Sequence, residues 1–434
     1  MTKKGKELHE EVKEKIERTT QEDTFEKAFT DFWRLACFAK NTTYDVPHLY
    51  EGSSKEFVDK HKEQLADMRR EVLKNLNDYV QQTMEKMEKN KIKVYYAKTN
   101  EDAQQLLLEE IGEEKTIYKS KSNEAKDIGL LEFLKEQEIE VKETDLGDVF
   151  IQLFEYELPT YQVGPGLHFE TDEIVAKIKE KYGEEVEPKA SEIVNFFRRT
   201  YRKKLLNDVK VSLTSANAIS AEDGCIVLLE NEGNISLITR SADKHIVVVG
   251  INKIVPSVFD ALLVTKMIER TNNAEIAYIS LIYGPSGTSD IKGLAVEGMY
   301  GAKEVVVILV DEWRMRAVQE NLFYKDFLRC ISCKSCSFVC PASRAFGNTY
   351  ASQYGLGGIA ILRDYIHHGI ESAVKDGLFL CTGCENCHEW CPADVNIAEC
   401  LRTMKKEATE KGLAPPTMEN YKKKIYKEKD PFRD

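Results

Sequence analysis

Eight of the chain's eleven cysteines recur in two copies of one spacing. The first copy is Cys330-x-x-Cys333-x-x-Cys336-x-x-x-Cys340-Pro341, and the second is Cys381-x-x-Cys384-x-x-Cys387-x-x-x-Cys391-Pro392. Three thiolates spaced three residues apart on a tight loop can bind one iron-sulfur cube, while the fourth cysteine, placed before a proline, points toward a neighbouring cluster. The spacing therefore predicts two 4Fe-4S clusters.

Zinc is the main alternative metal, because pairs of Cys-x-x-Cys motifs also form tetrahedral zinc sites. A zinc ion takes four ligands, so a zinc site would give no role to the third cysteine of each copy or to the trailing Cys-Pro pair. Disulfides or unligated thiols are a third reading, although cysteines in metal-type spacing fit a reducing compartment. We expect iron-sulfur clusters, with zinc and disulfides as the alternatives.

Crossed ligation assigns the eight cysteines to two sites. The first cluster would take Cys330, Cys333, Cys336 and Cys391. The second cluster would take Cys381, Cys384, Cys387 and Cys340. Crossing would hold the two clusters close together, whereas in uncrossed ligation each copy would close its own site.

The segment between the two copies indicates which ferredoxin fold surrounds them. Gly355, Gly357 and Gly358 are followed over 359–370 by apolar residues at helical spacing. Helices between the cluster loops are typical of the ferredoxin domain of succinate dehydrogenase-type iron-sulfur subunits, not of the compact ferredoxin with short strands. We therefore predict an all-helical two-cluster ferredoxin domain over residues 316–410, followed by a charged tail over 411–434.

Length and charge narrow the possible classes of protein. A chain of 434 residues can form two or three domains. Its 61 basic and 73 acidic residues give a net charge of -12, which argues against nucleic acid as a partner because phosphate binding needs clustered Lys and Arg. The amino-terminal residues lack the apolar core of a secretion signal, and the apolar run 305–310 is too short for a membrane span. We expect a cytoplasmic protein.

The elements that must position the cysteines fall into two further regions. Residues 1–90 are predicted to be helical, because apolar residues recur at three- to four-residue spacing over 65–87. Over 91–315, predicted helices at 100–110, 123–137 and 257–269 alternate with short apolar runs. Strands are predicted at 93–97, 115–118, 138–142, 225–229, 246–250, 276–282 and 304–310. Several runs are continuously apolar, which predicts an α/β domain with a largely parallel sheet.

Polar residues in the loops of this domain are candidate ligand-binding residues, because parallel sheets bind ligands in the loops at the carboxyl ends of their strands. They are Lys119, Lys121, Ser122, Asn217, Glu230, Glu232 and Asn234. The two lysines with Ser122 could bind an anion at a helix start, although exposed lysines are common there. The other residues lie in turn-rich stretches that either line a pocket or form a hairpin. His168 and His245 are predicted to be structural.

Several short stretches, taken in order, resemble one known family. They are Tyr118-Lys-Ser-Lys-Ser122, Thr144-Asp-Leu-Gly-Asp148 with Gln152-Leu153, Gly164-Pro165 with His168, Ser215-Ala-Asn217, Asn231-Glu-Gly-Asn234, Val249-Gly250 with Lys253, and the run 330–341. Over residues 65–401 the chain resembles the lactate-utilization iron-sulfur protein (LutB) family, in which a LUD domain is fused to a two-cluster ferredoxin domain.

The resemblance implies a fold, a role and partners. The fold is an α/β LUD domain related to ribose-5-phosphate isomerase and CoA-transferase. The role is that of a non-catalytic electron-transfer subunit, acting with Cys-rich and LUD-only subunits in oxidation of L-lactate, or a related 2-hydroxy acid, to pyruvate. The chain departs from the family in the LUD loops, at Asn123, Ser215 and Ala218 for example. The resemblance therefore supports the electron-carrier role more strongly than it supports lactate as the substrate. The alternative is that the chain serves another dehydrogenase.

A second hypothesis makes the LUD domain itself an enzyme. In this hypothesis Glu230 or Glu232 is the working carboxylate of an acyl-transfer or sugar-phosphate reaction, and the clusters are regulatory or structural. Turnover by the LUD domain would favour this hypothesis, whereas cluster reduction that requires a partner dehydrogenase would favour electron transfer.

Overall fold

The computed structural model describes residues 2–20, 52–155, 166, 168–272 and 276–428. The described residues divide into two compact units. We call the part between 52 and 333 the sheet unit, and residues 2–20 with 334–428 the helical unit. Gly164 and Pro165 lie outside the described residues, and the four regions with bounds at 90, 315 and 410 stay predictions.

A six-stranded parallel sheet organises the sheet unit. Its strands, in spatial order, are β1 (Lys93–Ala97), β12 (Glu304–Val310), β7 (Lys244–Gly250), β4 (Val211–Thr214), β2 (Thr116–Lys119) and β3 (Glu140–Glu143). Each neighbouring pair is parallel. The central strands β12 and β7 are almost wholly buried, as expected for their continuous Val and Ile runs. The predicted α/β fold is confirmed.

A second sheet contains two of the strands that were predicted from apolar runs. Its strands, in spatial order, are β8 (Ile254–Val255), β5 (Ala218–Ser220), β6 (Cys225–Glu230) and β9 (Tyr278–Ile282). Pairing is antiparallel between β5 and β6 and between β6 and β9. The connection from β5 to β6 is too short for a parallel crossover, so these strands form a hairpin. A further exposed hairpin joins β10 (Gly287–Ile291) to β11 (Leu294–Glu297).

Helices connect these strands and cover the core of the sheet unit. They are Gly52–Lys74, Leu76–Lys89, Asn100–Ile111, Asn123–Asp127, Leu130–Glu136, Leu146–Phe154, Thr171–Tyr182, Ala190–Asn207, Asn234–Ser241, Val258–Asn272 and Arg314–Gln319. The helix Asn100–Ile111 begins in a capping box at Thr99 and buries Leu107 in a core shared with Ile246 and Val306.

Two helices predicted as continuous are interrupted. The helical pattern over 65–87 is divided at Asn75, between Gly52–Lys74 and Leu76–Lys89. The helix predicted at 123–137 is divided by Gly129, whose φ of 60° is left-handed. A non-glycine residue would be strained at that angle, so glycine ends one helix and starts the next.

The helical unit surrounds the second cysteine loop with helices. Its longer helices are Lys3–Thr20, Gly358–Lys375, Ile397–Glu410 and Pro416–Glu428. The helix predicted at 359–370 is present in Gly358–Lys375, with a kink at Gly369. One minimal antiparallel pair, β13 (Ala351–Ser352) with β14 (Gly355–Leu356), interrupts the otherwise helical segment. Within the described ranges, no helix is both long enough and apolar enough to cross a membrane.

Candidate iron-sulfur centre and ligand site

The two cysteine motifs fold into loops with matching backbone conformations. Cys330 (φ -60°, ψ 126°) and Cys381 (φ -60°, ψ 124°) each follow a short 3-10 helix. The positions two and four residues later have left-handed φ in both loops: Ser332 (63°) and Lys334 (65°), Gly383 (71°) and Glu385 (64°). A four-residue helix then follows, Ser335–Phe338 in the first loop and Asn386–Glu389 in the second. The repeated spacing therefore encodes a repeated local structure.

The second cysteine loop lines a cavity in the helical unit together with residues 336–342. The cysteines around this cavity are Cys336, Cys340, Cys381, Cys384 and Cys387. Cys340 is thus grouped with the three cysteines of the other motif, as crossed ligation requires. Cys336, which spacing assigns to the first cluster, lines the same cavity. Cys391 accepts a hydrogen bond at its Sγ from the backbone N–H of Val395, at 3.3 Å.

The chemistry of this cavity fits the cationic iron-sulfide core of a 4Fe-4S cluster. Burial, followed by the charges of Cys340, Cys381 and Cys384, raises the pKa of the Cys387 thiol to about 12. Crowded thiolates repel one another in a buried site, and a bound metal relieves this repulsion. Among the described residues no three His, Cys, Asp or Glu side chains are arranged to hold a single metal ion. A 4Fe-4S cube instead spreads its four ligand positions over four iron atoms.

Two side chains that the sequence did not reveal support the second loop. Tyr350 is buried, and its hydroxyl is within hydrogen-bonding reach of Cys381. Lys405 Nζ donates to the carbonyl oxygen of Cys381 at 2.6 Å. Neither residue lies near a cysteine in the sequence, so motif spacing could not identify them.

The first loop, whose Cys330 and Cys333 belong to the sheet unit, also has basic neighbours. The backbone N–H of Ser332 donates to Cys330 Sγ at 3.3 Å. Lys253 Nζ donates to Ser332 Oγ at 2.9 Å. Arg69 donates to the carbonyl oxygen of Leu328 at 2.7 Å. The sequence identifies Lys253 only through the family resemblance, and no sequence motif identifies Arg69.

Three predicted ligand-site residues lie at the carboxyl end of β2, where Lys119 is the last residue of the strand and Lys121 and Ser122 follow it. Lys119 is buried, and its Nζ lies 2.9 Å from Glu143 Oε1. Lys121 Nζ lies 3.9 Å from Asp145 Oδ1. Ser122 accepts a hydrogen bond from the N–H of Ala125 and so caps the short helix Asn123–Asp127. Each lysine therefore has a carboxylate partner in the structure.

Glu232 and Asn234 join the same edge of the sheet. Glu232 Oε2 accepts from the N–H of Leu146 at 3.0 Å. Asn234 Nδ2 donates to Thr144 Oγ1 at 3.2 Å, and this hydroxyl donates to the carbonyl oxygen of Lys119 at 3.0 Å. The predicted residues Lys119, Lys121, Glu232 and Asn234 are thus brought together around residues 143–148.

Asn217 and Glu230 instead stabilise local backbone. Asn217 Oδ1 accepts from the N–H of Leu229 across the β5–β6 hairpin at 3.0 Å. The carboxylate of Glu230 accepts from the N–H of Ser236, at 2.8 Å, near the start of the helix Asn234–Ser241. An acidic side chain beside a helix start satisfies otherwise unpaired N–H groups. Glu230 is therefore held in a capping contact.

Glu143, which was not among the predicted ligand-site residues, is a buried acid at this edge with a raised pKa. Burial raises its pKa to about 7, with Asp148 adding to the rise and Lys119 opposing it. Burial of the Glu232 carboxylate and the charge of Asp145 likewise raise the pKa of Glu232 to about 7, although much of the residue is exposed. The signal for Glu143 was available, since it ends a strand of the parallel sheet.

We expect the contribution of Glu143 to the free energy of unfolding to fall as pH rises from 4.5 to about 7. In this window the folded protein keeps a proton that the unfolded chain, with the ordinary pKa of 4.5, has lost. The folded state binds more protons, so rising pH favours unfolding. Glu143→Gln, which cannot ionise, should flatten the pH slope in urea denaturation across this window. A slope identical to that of the original protein would contradict the raised pKa.

The two predicted structural histidines lie in the core. His245 Nε2 is 2.8 Å from Thr214 Oγ1, and burial lowers the pKa of His245 to about 3. His168 is buried, with its ring centroid 4.0 Å from that of Phe169. His245 therefore stays neutral at physiological pH.

Comparisons with known proteins agree with this architecture. Residues 80–310 match the LUD domain family, and residues 326–395 match the 4Fe-4S dicluster domain family. Lactate utilization protein B of Bacillus subtilis (strain 168) is 30% identical over 355 residues, which cover 80% of this chain and 71% of that protein. Uncharacterized electron transport protein YkgF of Escherichia coli (strain K12) is 29% identical over 358 residues, covering 81% and 72%. The crystal structure of a DUF162 family protein from Deinococcus radiodurans gives a TM-score of 0.28 at 13% identity, covering 54% of this chain and 98% of that one.

The sheet unit and the paired cysteine loops define a LUD-domain protein that carries a two-cluster iron-sulfur domain. Its cofactors are two 4Fe-4S clusters, as the cysteine spacing predicted. The chain belongs to the lactate utilization protein B family.

Proposed function

We propose that this protein is the iron-sulfur electron-transfer subunit of a multi-subunit dehydrogenase complex. The observation that carries the proposal is the cavity lined by Cys340, Cys381, Cys384 and Cys387, with Cys336 also in its lining. In the proposal the first four of these cysteines hold the second cluster. The first cluster is held by Cys330, Cys333, Cys336 and Cys391. The matching backbone of the two loops supports clusters of the same type.

When bound, the two clusters supply one-electron redox chemistry. The chain's residues hold them and adjust their surroundings. Tyr350, beside Cys381, can donate to a ligand sulfur and so stabilise the more negative, reduced state. Cys384 is exposed, so the proposed second site opens to the surface, where the redox centre of a partner can approach. Leu401 and Ala398 close the inner side of the cavity with apolar groups.

We propose that the electrons carried by the clusters come from the oxidation of L-lactate, or a related 2-hydroxy acid, to pyruvate. The name lactate utilization protein B, carried by relatives about 30% identical, supports this substrate, and the name electron transport protein supports the role. The immediate donor would be a partner dehydrogenase. Cys-rich and LUD-only subunits are the partners that the family resemblance implies, and in this arrangement the LUD domain is a scaffold or accessory ligand site.

A second candidate function is acid–base catalysis by the LUD domain. The observation that favours it is the pair Glu143 and Glu232, both with a pKa of about 7 at the carboxyl edge of one sheet. Carboxyl groups poised near neutrality can accept and return protons during acyl-transfer or sugar-phosphate chemistry. Glu230 fits this role less well, because its carboxylate caps a helix.

We expect anaerobically purified full-length protein to hold about eight iron and eight sulfide per chain. Lactate together with the partner dehydrogenase should reduce the clusters, seen as bleaching of their visible absorbance, whereas lactate alone should not. Stoichiometric zinc without sulfide would contradict the cluster assignment. Turnover of an acyl or sugar-phosphate substrate that is lost in Glu143→Gln, with clusters intact, would favour the second candidate.

A further inference from the structure

Arg69 places a positive charge deep inside the sheet unit. Its side chain is 2% exposed, and it lies on the helix Gly52–Lys74 between the buried residues Leu65 and Val72. Its guanidinium donates to the carbonyl oxygens of Ile254 (2.9 Å) and Leu328 (2.7 Å), and also to that of Asn252. One side chain therefore joins the turn around Lys253 to the segment that leads into Cys330.

The groups that accept hydrogen bonds from Arg69 are neutral carbonyl groups. Among the described residues no carboxylate forms an ion pair with Arg69, and Arg69 Nε has no hydrogen-bond partner. Burying a charge without a counter-charge is costly, and the cost falls when an opposite charge is near. A negative group near Arg69 would therefore lower the free-energy cost of burying its charge.

The first cysteine loop lies within electrostatic reach of Arg69. Burial lowers the pKa of Arg69 to about 10, the charge of Cys330 opposes this by attraction, and the positive charge of Arg329 adds to the lowering. Lys253, also buried, approaches the same loop through its 2.9 Å hydrogen bond to Ser332 Oγ. Ser332 in turn donates its N–H to Cys330 Sγ. Arg69 and Lys253 thus approach one cysteine loop by separate routes, in addition to the buried Arg329, which is paired with Asp326. We call Arg69 and Lys253 the cation pair.

We propose that the cation pair is the electrostatic counterpart of the first iron-sulfur cluster and raises its reduction potential. This inference rests on the proposed function, because it needs a cluster at Cys330. An iron-sulfur cluster with four thiolates gains negative charge on reduction, so buried positive charge stabilises the reduced state. Neither side chain is a cluster ligand, so the pair acts on the cluster through its positive charge.

The second loop has different surroundings. Cys384 is exposed, so solvent screens charges beside it. Lys405 Nζ contacts the carbonyl oxygen of Cys381, and Arg402 pairs with Glu385 of the same loop in an exposed ion pair. Removing the cation pair should therefore change the potential of one cluster and leave the other unchanged.

The test replaces Arg69 by methionine, which keeps much of the apolar length and removes the charge. Redox titration of the full-length protein, followed by electron paramagnetic resonance, should show one cluster whose reduction equilibrium moves at least tenfold toward the oxidised state, about 59 mV for one electron. The other cluster should not shift. Arg70→Met is the matched control, because Arg70 is the next residue and is exposed in an ion pair with Asp67.

Additional variants keep the proposal open to contradiction. Lys253→Met should shift the same signal in the same direction, and it decides the matter if Arg69→Met does not fold. Arg69→Lys, which keeps the charge, should restore most of the potential. Repeating the titration in a Cys340→Ala background identifies the shifted signal as the first cluster. Unchanged potentials in folded Arg69→Met or Lys253→Met, or equal shifts of both clusters, would overturn the inference.

The same experiment separates this inference from the proposed function. If the potential shifts as expected but lactate with its dehydrogenase never reduces the clusters, the cation pair stands and the assigned electron route fails. If the clusters are reduced by the complex but Arg69→Met leaves both potentials unchanged, the route stands and the cation pair fails.

Discussion

Replacing Cys340 and Cys384 together by alanine is expected to destroy one cluster and leave about four iron per chain. Both cysteines line the same cavity with Cys381 and Cys387, so removing both affects one site. The resonance spectrum should keep the signal of the untouched cluster. Iron and sulfide analysis of anaerobically purified protein, together with that spectrum, measures the result.

The pair Cys340→Ala with Cys333→Ala should instead damage both clusters, because crossed ligation assigns these residues to different sites. Cys400→Ala is the matched control, since Cys400 is a buried cysteine outside both motifs and its loss should leave the iron content unchanged. If the pair Cys340 and Cys333 spares one whole cluster, each motif closes its own site. Crossed ligation would then be excluded.

Asp127→Ala is expected to lower the free energy of unfolding by about 3–5 kcal/mol. Asp127 Oδ2 lies 3.2 Å from Arg314 Nη2, and the two side chains are 2% and 3% exposed. The change leaves a buried guanidinium without its counter-charge, which costs more than the ion pair itself contributes. Arg314 cannot easily move away, because its Nε donates to Asn252 Oδ1 at 2.8 Å and packs over Gly250. Urea denaturation of the full-length protein measures the loss.

An exposed ion pair provides the control for this prediction. Asp67→Ala removes one ion-pair partner of Arg70, at 2.5 Å, where both side chains are about half exposed or more. Solvent screens such a pair, so its loss should cost at most about 1 kcal/mol. If Asp67→Ala and Asp127→Ala lower the free energy of unfolding equally, burial does not increase the destabilisation caused by removing the counter-charge of Arg314.

Strand positions in the parallel sheet were readable from the sequence because their signal is local. The runs at 93–97 and 304–310 coincide with β1 and β12. The continuous Val, Ile and Leu residues of β12 suit a strand buried on both faces, and the Val and Tyr residues of β1 favour an extended strand. Strand β4, Val211–Thr214, was not predicted, because Ser212 and Thr214 weaken its apolar pattern. The antiparallel pairing of β6 with β9 was also missed, because pairing depends on the partner strand and not on the run itself.

The candidate ligand site was predicted in part for a similar reason. The rule that ligands bind at the carboxyl ends of parallel strands selected Lys119 and Glu232, which the structure brings to one edge. It also selected Glu230 and Asn217, whose side chains bond local backbone. The choice between a pocket group and a local cap depends on side-chain direction, and composition does not encode that direction.

The sequence by itself determined the cluster chemistry, because thiolate spacing, the trailing proline and the tight loop all lie within a few residues of one another. Only the tertiary structure decided which distant groups surround those thiolates. Cys340 is brought to the loop of Cys381, and Arg69 is brought to the segment before Cys330, across long stretches of chain. Such contacts depend on how whole elements pack, and a buried arginine on a helix has the same local pattern whether it faces a carboxylate or a metal cluster.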